Sequence, residues 1–134
     1  MIGLMLAAFA MQAAPDPCHA VGQVARPPAC PQWRPVYRAE GRQVFIDPGA
    51  LRRNGDTFEL PLRAVLAEPV DGGWSYVALY RFDCRRRTVA AIYATFYNAR
   101  GAITNRGPLG GPDMQAEVEP NSPNGRLLAE FCPR

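Results

Sequence analysis

The sequence predicts an α+β fold, a single antiparallel β-sheet of about five to six strands with a short C-terminal helix packed on it. Short apolar runs alternate with turn signals along most of the chain, which is typical of consecutive hairpins. Residues 74–83 form the strongest strand pattern, because Trp74, Tyr76, Ala78, Tyr80 and Phe82 fall on one face at a period of two. Ser122 and Pro123 open the predicted helix, since serine caps a helix and proline is tolerated at its first position.

Turn clusters divide the first half of the domain into strands. The apolar run at residues 44–46 stops at a proline-glycine turn at 47–49. A second turn at 54–56 contains Asn-Gly, which suits the positive φ angles of a tight hairpin, so residues 58–66 are predicted as the next strand. Pro61 lacks an amide donor and therefore indicates a sheet edge or a bulge in that strand.

The second half of the domain is predicted to hold two long strands and the helix. The aromatic face of residues 74–83 is expected in the core. Residues 87–97 are apolar on both faces, so this strand is central or lies between the helix and a second surface such as a dimer partner. One of its faces is predicted to carry Val89, Ala91 and Tyr93. Residues 105–113 are predicted as a mobile glycine-proline loop. The apolar face of the helix carries Leu127, Leu128 and Phe131.

Residues 1–14 are uncharged and almost wholly apolar, and they are predicted to be a secretory signal peptide. The run is too short to span a membrane, which takes about 20 apolar residues. Cleavage fits after Ala10, in an A-x-A pattern, or after Ala14. No basic residue precedes Arg26, so either the signal is atypical or the start codon lies upstream. The alternative, a buried helix of a cytosolic protein, is disfavoured because the run has no polar face.

The rest of the chain is predicted to be a proline-rich leader at residues 15–32 and one domain at residues 33–134. We therefore expect an exported protein, periplasmic, displayed on the cell surface or secreted, with no membrane span in the mature chain.

Four cysteines in a small chain with a candidate signal peptide predict two disulfides in an oxidising compartment. Three pairings are possible. We favour Cys18 with Cys30, which closes a short loop in the leader, and Cys84 with Cys132, which ties a strand end to the last residues. A zinc site is the competing interpretation, and it is disfavoured because no two cysteines have CxxC spacing. No metal and no cofactor is expected.

Composition argues against catalysis. All 15 basic residues are arginine, so chemistry that needs an amine side chain, such as a Schiff base, is excluded. The one histidine, His19, lies in the leader, and the domain has no imidazole to activate Cys84 beside Asp83 as a nucleophile. No catalytic residue is expected, and the protein is not predicted to be an enzyme.

The arginine run at residues 85–87 is a candidate patch for anions, because guanidinium pairs bidentately with phosphate and carboxylate. The simpler interpretation is a solvated hairpin turn. The net charge of +3 is too small to indicate nucleic-acid binding. Tyrosines that face a pocket are further candidates, although core packing explains most of them. The candidate binding residues are Arg81, Arg85, Arg86, Arg87, Tyr80 and Tyr93.

Several motifs occur in a fixed order along residues 33–132. The segment starts at Trp33, passes an Ile-Asp-Pro motif at 46–48, reaches a Phe-Asp-Cys motif at 82–84 and ends with a proline-serine stretch before Cys132. In this order the motifs resemble the surface-adhesin protein E family over essentially the whole mature domain.

The resemblance implies an exported bacterial domain with an antiparallel sheet, a C-terminal helix, a disulfide between Cys84 and Cys132, and a tendency to dimerise. The founding protein of that family is an outer-membrane adhesin that binds host matrix proteins and plasminogen. This chain departs from the pattern in its additional Cys18 and Cys30. It also has no lysine, on which plasminogen-type recognition usually depends.

The predicted function is therefore that of an exported, non-catalytic protein-binding domain of the cell envelope, with extracellular matrix or envelope proteins as candidate partners and a homodimer as a further expectation. The alternative is a small-molecule or lipid-binding sensor domain of the periplasm. An enclosed apolar cavity of several hundred Å³ would favour that alternative.

Overall fold

The computed structural model describes residues 15–21, 30–39, 41–109 and 115–133, so the predicted signal peptide lies outside the described residues. The described residues form one antiparallel sheet, whose strands are β1 (Arg34–Ala39), β2 (Arg42–Ile46), β3 (Arg52–Asn54), β4 (Thr57–Val70), β5 (Gly73–Asp83), β6 (Thr88–Tyr97), β7 (Ile103–Pro108) and β8 (Ala116–Glu117). Their order is β1-β2-β4-β5-β6-β7, with β3 paired to β4 and β8 paired to β6. The helix α1 (Pro123–Phe131) follows β8.

The antiparallel sheet and the C-terminal helix are confirmed, but the sheet that the described residues form has eight strands and not five to six. β3 and β8 have three and two residues, which is too short for an alternating pattern to show. Residues 105–108 were predicted as loop but belong to β7, which pairs with β6. An edge strand tolerates glycine and proline because one side of it donates no ladder hydrogen bonds.

The alternation predicted for β6 is wrong beyond its middle. The register shifts between the pairs Leu79–Tyr93 and Tyr80–Ala91, which leaves Ile92 as an extra residue. Such a bulge inverts the order of inward and outward side chains in the rest of the strand. Tyr93 therefore points to the side opposite Val89 and Ala91, and not to the same side.

The two faces of the sheet differ in what covers them. The helix face carries Phe58 and Phe82, whose rings stack with 4.8 Å between centroids, and Phe131 of α1 lies 5.9 Å from Phe58. The leader face is the opposite side and carries Arg63 and Tyr97. The main core lies on the helix face and on the segments that cover it: Val44, Ile46, Phe58, Leu60, Leu62, Ala64, Phe82, Val89, Val118, Leu127 and Leu128.

The N-terminus of α1 forms as its sequence predicts. The Ser122 hydroxyl accepts a hydrogen bond from the Gly125 N–H at 3.0 Å. Gly125 is required here, because a Cβ at this position would overlap the carbonyl oxygens of Glu119 and Pro120. The chain before the helix can therefore approach closely enough for the apolar side of α1 to reach the sheet.

Disulfides join Cys18 to Cys30 and Cys84 to Cys132, the favoured pairing. Cys84 follows β5 and Cys132 follows α1, so this bond ties the helix to the sheet. At the other side of α1, the Glu130 carboxylate lies 2.8 Å from a guanidinium nitrogen of β1. The helix is thus held at both sides as well as through its apolar face.

Residues 15–21 of the leader lie against the leader face. The Asp16 N–H donates to the Gly101 carbonyl at 2.9 Å. The His19 ring stacks on Tyr97 with 3.9 Å between centroids. These residues of the leader therefore pack on the sheet.

Candidate functional site

Three tyrosines and one arginine meet on the helix face, next to α1. Tyr37 comes from β1, Arg42 from β2, and Tyr76 and Tyr80 from β5. We call these four residues the tyrosine cluster. Arg42 Nη1 donates to the Tyr76 hydroxyl at 2.8 Å across β4. The intervening residue of β4 is Ala64, which pairs with Tyr76 and whose small side chain leaves room for this contact.

Apolar and charged groups border the tyrosine cluster. Tyr76 packs against Phe96, with 5.2 Å between the ring centroids. Tyr37 also lines a cleft of about 270 Å³ between β1 and α1, whose walls include Arg126 and Glu130. The cluster and the cleft form one half-buried surface, rich in aromatic rings and guanidinium groups.

The tyrosine hydroxyls occupy a partly desolvated environment. Burial raises the pKa of Tyr80, and the nearby Tyr76 and Tyr37 add to the rise while Arg42 opposes it. Burial also raises the pKa of Tyr37, which Arg42 partly offsets. Tyr37 and Tyr80 therefore stay protonated at neutral pH, and each hydroxyl can both donate and accept a hydrogen bond.

Alkaline pH is expected to lower the free energy of unfolding. An unfolded tyrosine loses its proton near pH 10, whereas the pKa values of Tyr37 and Tyr80 in the folded state are higher. Their contribution is complete below about pH 10 and is lost as the pH rises through the folded-state values. Urea unfolding between about pH 8 and about pH 11 measures this loss, and Tyr80→Phe should reduce it. An unchanged pH dependence in Tyr80→Phe would contradict the assignment.

The structure does not bring the six predicted binding residues together. Tyr80 belongs to the tyrosine cluster, whereas Tyr93 lies on the leader face and is 40% exposed. Arg81 also lies on the leader face, with Nη2 2.9 Å from Glu59 Oε1. Residues 85–87 form part of the turn between β5 and β6, and all three are exposed. The role of Arg85, Arg86 and Arg87 in binding stays a prediction.

Tyr37 and Arg42 are site residues that the sequence did not predict. Arg42 contacts a tyrosine 34 positions away, and no local pattern around it shows this. The one signal that could have identified these two residues is the turn at Gly41. Gly41 has a positive φ of 67° and closes the β1–β2 hairpin. A tight turn at that position makes Tyr37 and Arg42 diagonal neighbours on one face of the hairpin.

The groups considered for catalysis or metal binding have structural roles. Asp83 Oδ1 accepts hydrogen bonds from the backbone N–H groups of Arg85 and Arg86 at 3.0 and 2.9 Å, which closes the turn. Cys84 beside it is in a disulfide. Within the described ranges, no three His, Cys, Asp or Glu side chains lie close enough to hold a metal ion.

The motifs that carry the family resemblance lie along the strands and α1. The sequence model of surface-adhesin protein E matches residues 33–133. The chain belongs to the surface-adhesin protein E family. The eight strands and α1 of this surface-adhesin protein E domain all fall within the match, whereas Cys18 and Cys30 precede it. Comparison with curated proteins and with solved structures finds no match.

Membership in the surface-adhesin protein E family, together with two disulfides, is typical of an exported protein. In the part of the chain that the structure describes, no helix is long and apolar enough to cross a membrane.

Proposed function

We propose that this adhesin-like domain binds another protein through the tyrosine cluster, without a catalytic centre, after export to the cell envelope or the cell surface. The hydrogen bond between Arg42 and Tyr76, within a half-buried group of three tyrosines, carries the proposal. Tyrosine and arginine are enriched among the residues that supply most of the binding energy at protein interfaces. Membership in an adhesin family supports a protein as the partner.

The tyrosine cluster is suited to binding because its side chains are already ordered. Arg42 is held by the Tyr76 hydroxyl, and Tyr76 is held by Phe96. Ordered side chains lose less conformational entropy when a partner binds, so more of the contact energy appears as affinity. The adjoining cleft beside α1 has room for a side chain of the partner.

The partner class that we propose is a protein of the extracellular matrix or of the envelope, and membership in an adhesin family supports it. A second copy of this chain is the other protein partner that the sequence predicted. The sensor-domain alternative remains a prediction, and the cleft at the tyrosine cluster adds nothing to it because its walls include charged side chains from β1 and α1.

Tyr76→Ala is expected to weaken binding to a matrix protein at least about tenfold, since truncation of an interface hot spot typically costs about 2 kcal/mol or more. The measurement is biolayer interferometry of the purified protein against immobilised laminin, fibronectin and collagen. Tyr93→Ala is the matched control, because Tyr93 lies on the leader face and is 40% exposed. It should change the affinity by less than about twofold.

Two results would contradict the proposal. One is a wild-type protein that binds none of the matrix proteins and is a monomer by light scattering. The other is a loss of binding in Tyr93→Ala equal to that in Tyr76→Ala, which would assign binding to the leader face. Circular dichroism of both variants establishes that each is folded.

A further inference from the structure

A second surface, rich in arginine, lies at the end of the sheet where the turns after β3 and β5 meet. The Cys84 N–H donates to the Asp56 carbonyl at 2.8 Å and so joins the two turns. We call this surface the arginine end, and its cationic residues are Arg52, Arg53, Arg81, Arg85, Arg86 and Arg87. The accompanying carboxylates are Asp56, Glu59, Asp83 and Glu117. Positive charge is therefore in excess at this end.

A cleft of about 500 Å³ opens at the arginine end on the leader face. Arg52, Glu59 and Arg81 lie opposite one another in β3, β4 and β5, so they form one row across three strands. Neighbouring strands are about 4.8 Å apart, which places the backbones of the two arginines roughly 10 Å apart on either side of Glu59.

The two arginines of this row differ in their partners. Arg81 bonds to Glu59 at 2.9 Å, and its side chain is 51% exposed. Arg52 is exposed, and no carboxylate of the described residues lies within 4.0 Å of its guanidinium. Arg53 is directed to the helix face, where it donates to the Phe131 carbonyl. Arg52 and the outer side of Arg81 are therefore available to an anion.

Besides its arginines, which include Arg53, the cleft is lined by Glu59 and by uncharged polar groups. Guanidinium binds sulfate or phosphate bidentately. Asn54 and Thr57 also line the cleft, and their side chains can donate hydrogen bonds to hydroxyl groups and accept hydrogen bonds from them. The Glu59 carboxylate can accept hydrogen bonds from hydroxyl groups. A single-stranded nucleic acid would need an aromatic ring at the cleft on which its bases could stack. The neighbouring Phe58 is buried on the helix face and offers no ring for base stacking.

We propose that the arginine end binds an acidic saccharide whose sulfate or phosphate groups lie beside free hydroxyls. Arg52 and Arg81 hold the anionic groups, and Asn54, Thr57 and Glu59 contact the hydroxyls. The exposed arginines of the β5–β6 turn extend the positive surface beyond the cleft. This site goes beyond the proposed protein-binding function, because the cleft opens on the leader face and the tyrosine cluster lies on the helix face.

The test uses fluorescence anisotropy with a labelled heparin octasaccharide and a phosphorylated oligomannoside in about 150 mM salt, near physiological ionic strength. The variant Arg52→Gln/Arg81→Gln is expected to weaken binding at least about tenfold, because two charge-assisted contacts are lost. The control Arg100→Gln/Arg106→Gln removes the same charge near the other end of the sheet and should weaken binding less than about twofold. Binding of either probe supports the proposal and distinguishes sulfate from phosphate.

The proposal is overturned if the wild-type protein binds neither probe or if the two double variants lose affinity equally. It is also overturned if removing the sulfate or phosphate groups from the probe that binds leaves its affinity unchanged. Stronger association with phosphatidylglycerol vesicles than with either saccharide also overturns it. If circular dichroism shows that Arg52→Gln/Arg81→Gln is unfolded, Arg85→Gln/Arg86→Gln in the exposed turn must weaken binding instead. Tyr76→Ala should leave saccharide binding unchanged, so failure here is distinguishable from failure of the protein-binding proposal.

Discussion

Replacing Cys84 and Cys132 together by alanine is expected to lower the free energy of unfolding by about 4 kcal/mol. Their disulfide spans a sequence separation of 48 residues, and a cross-link restricts the unfolded chain more when the closed loop is longer. The bond also holds α1 at the sheet, where Leu127 and Leu128 complete the core. Removing it therefore frees the unfolded chain and weakens the attachment of the helix.

Guanidinium unfolding of the oxidised protein and of the variant measures this effect. The matched control is Cys18→Ala/Cys30→Ala, which removes a disulfide with a sequence separation of 12 and should cost less, about 3 kcal/mol. A loss below about 1 kcal/mol for the first pair, or a larger loss for the control pair, would contradict this account.

Phe82→Ala is expected to lower the free energy of unfolding by about 3–5 kcal/mol. Phe82 is fully buried on the helix face and stacks on Phe58 with 4.8 Å between ring centroids. Truncation removes the ring from the centre of the core, and β5 is paired on both sides, so the backbone has little freedom to close the cavity.

Urea unfolding at neutral pH compares this variant with Tyr93→Ala. Tyr93 is also an aromatic residue of the central strands, but it lies on the leader face and is 40% exposed. Its truncation should cost far less than that of Phe82, about 0.5 kcal/mol or less. Similar losses in the two variants would show that the helix face is not the main core.

The two proposed surfaces assign different partners to opposite faces of one small sheet. The tyrosine cluster is half-buried and aromatic, which suits a protein contact that excludes water. The arginine end is exposed and charged, so its contacts depend more strongly on ionic strength. Binding to the saccharide should therefore weaken more steeply with added salt than binding at the tyrosine cluster.

The elements that could be predicted from the sequence depend on neighbours along the chain. Ser122 caps α1 because the cap is a contact between residues three positions apart. The aromatic alternation of β5 is visible because side chains of a strand alternate without regard to its partners. Of the three possible cysteine pairings, the favoured one closes a short loop in the leader and ties a strand end to the last residues. The family resemblance rests on motifs in a fixed order along residues 33–132.

Contacts between segments distant in the sequence determined the strand register, the tyrosine cluster and the position of the leader. Local periodicity carries no information about such contacts. The bulge at Ile92 depends on the register between β5 and β6, and it moved Tyr93 to the leader face. The tyrosine cluster exists because β4 separates β2 and β5 by one strand, so that Arg42 reaches Tyr76. Arginine is usually exposed, yet Arg63 is 1% exposed, and it donates to the Ala20 carbonyl at 3.4 Å where the leader crosses the sheet. The composition of the leader predicts an extended chain, and only packing against the leader face determines where that chain lies.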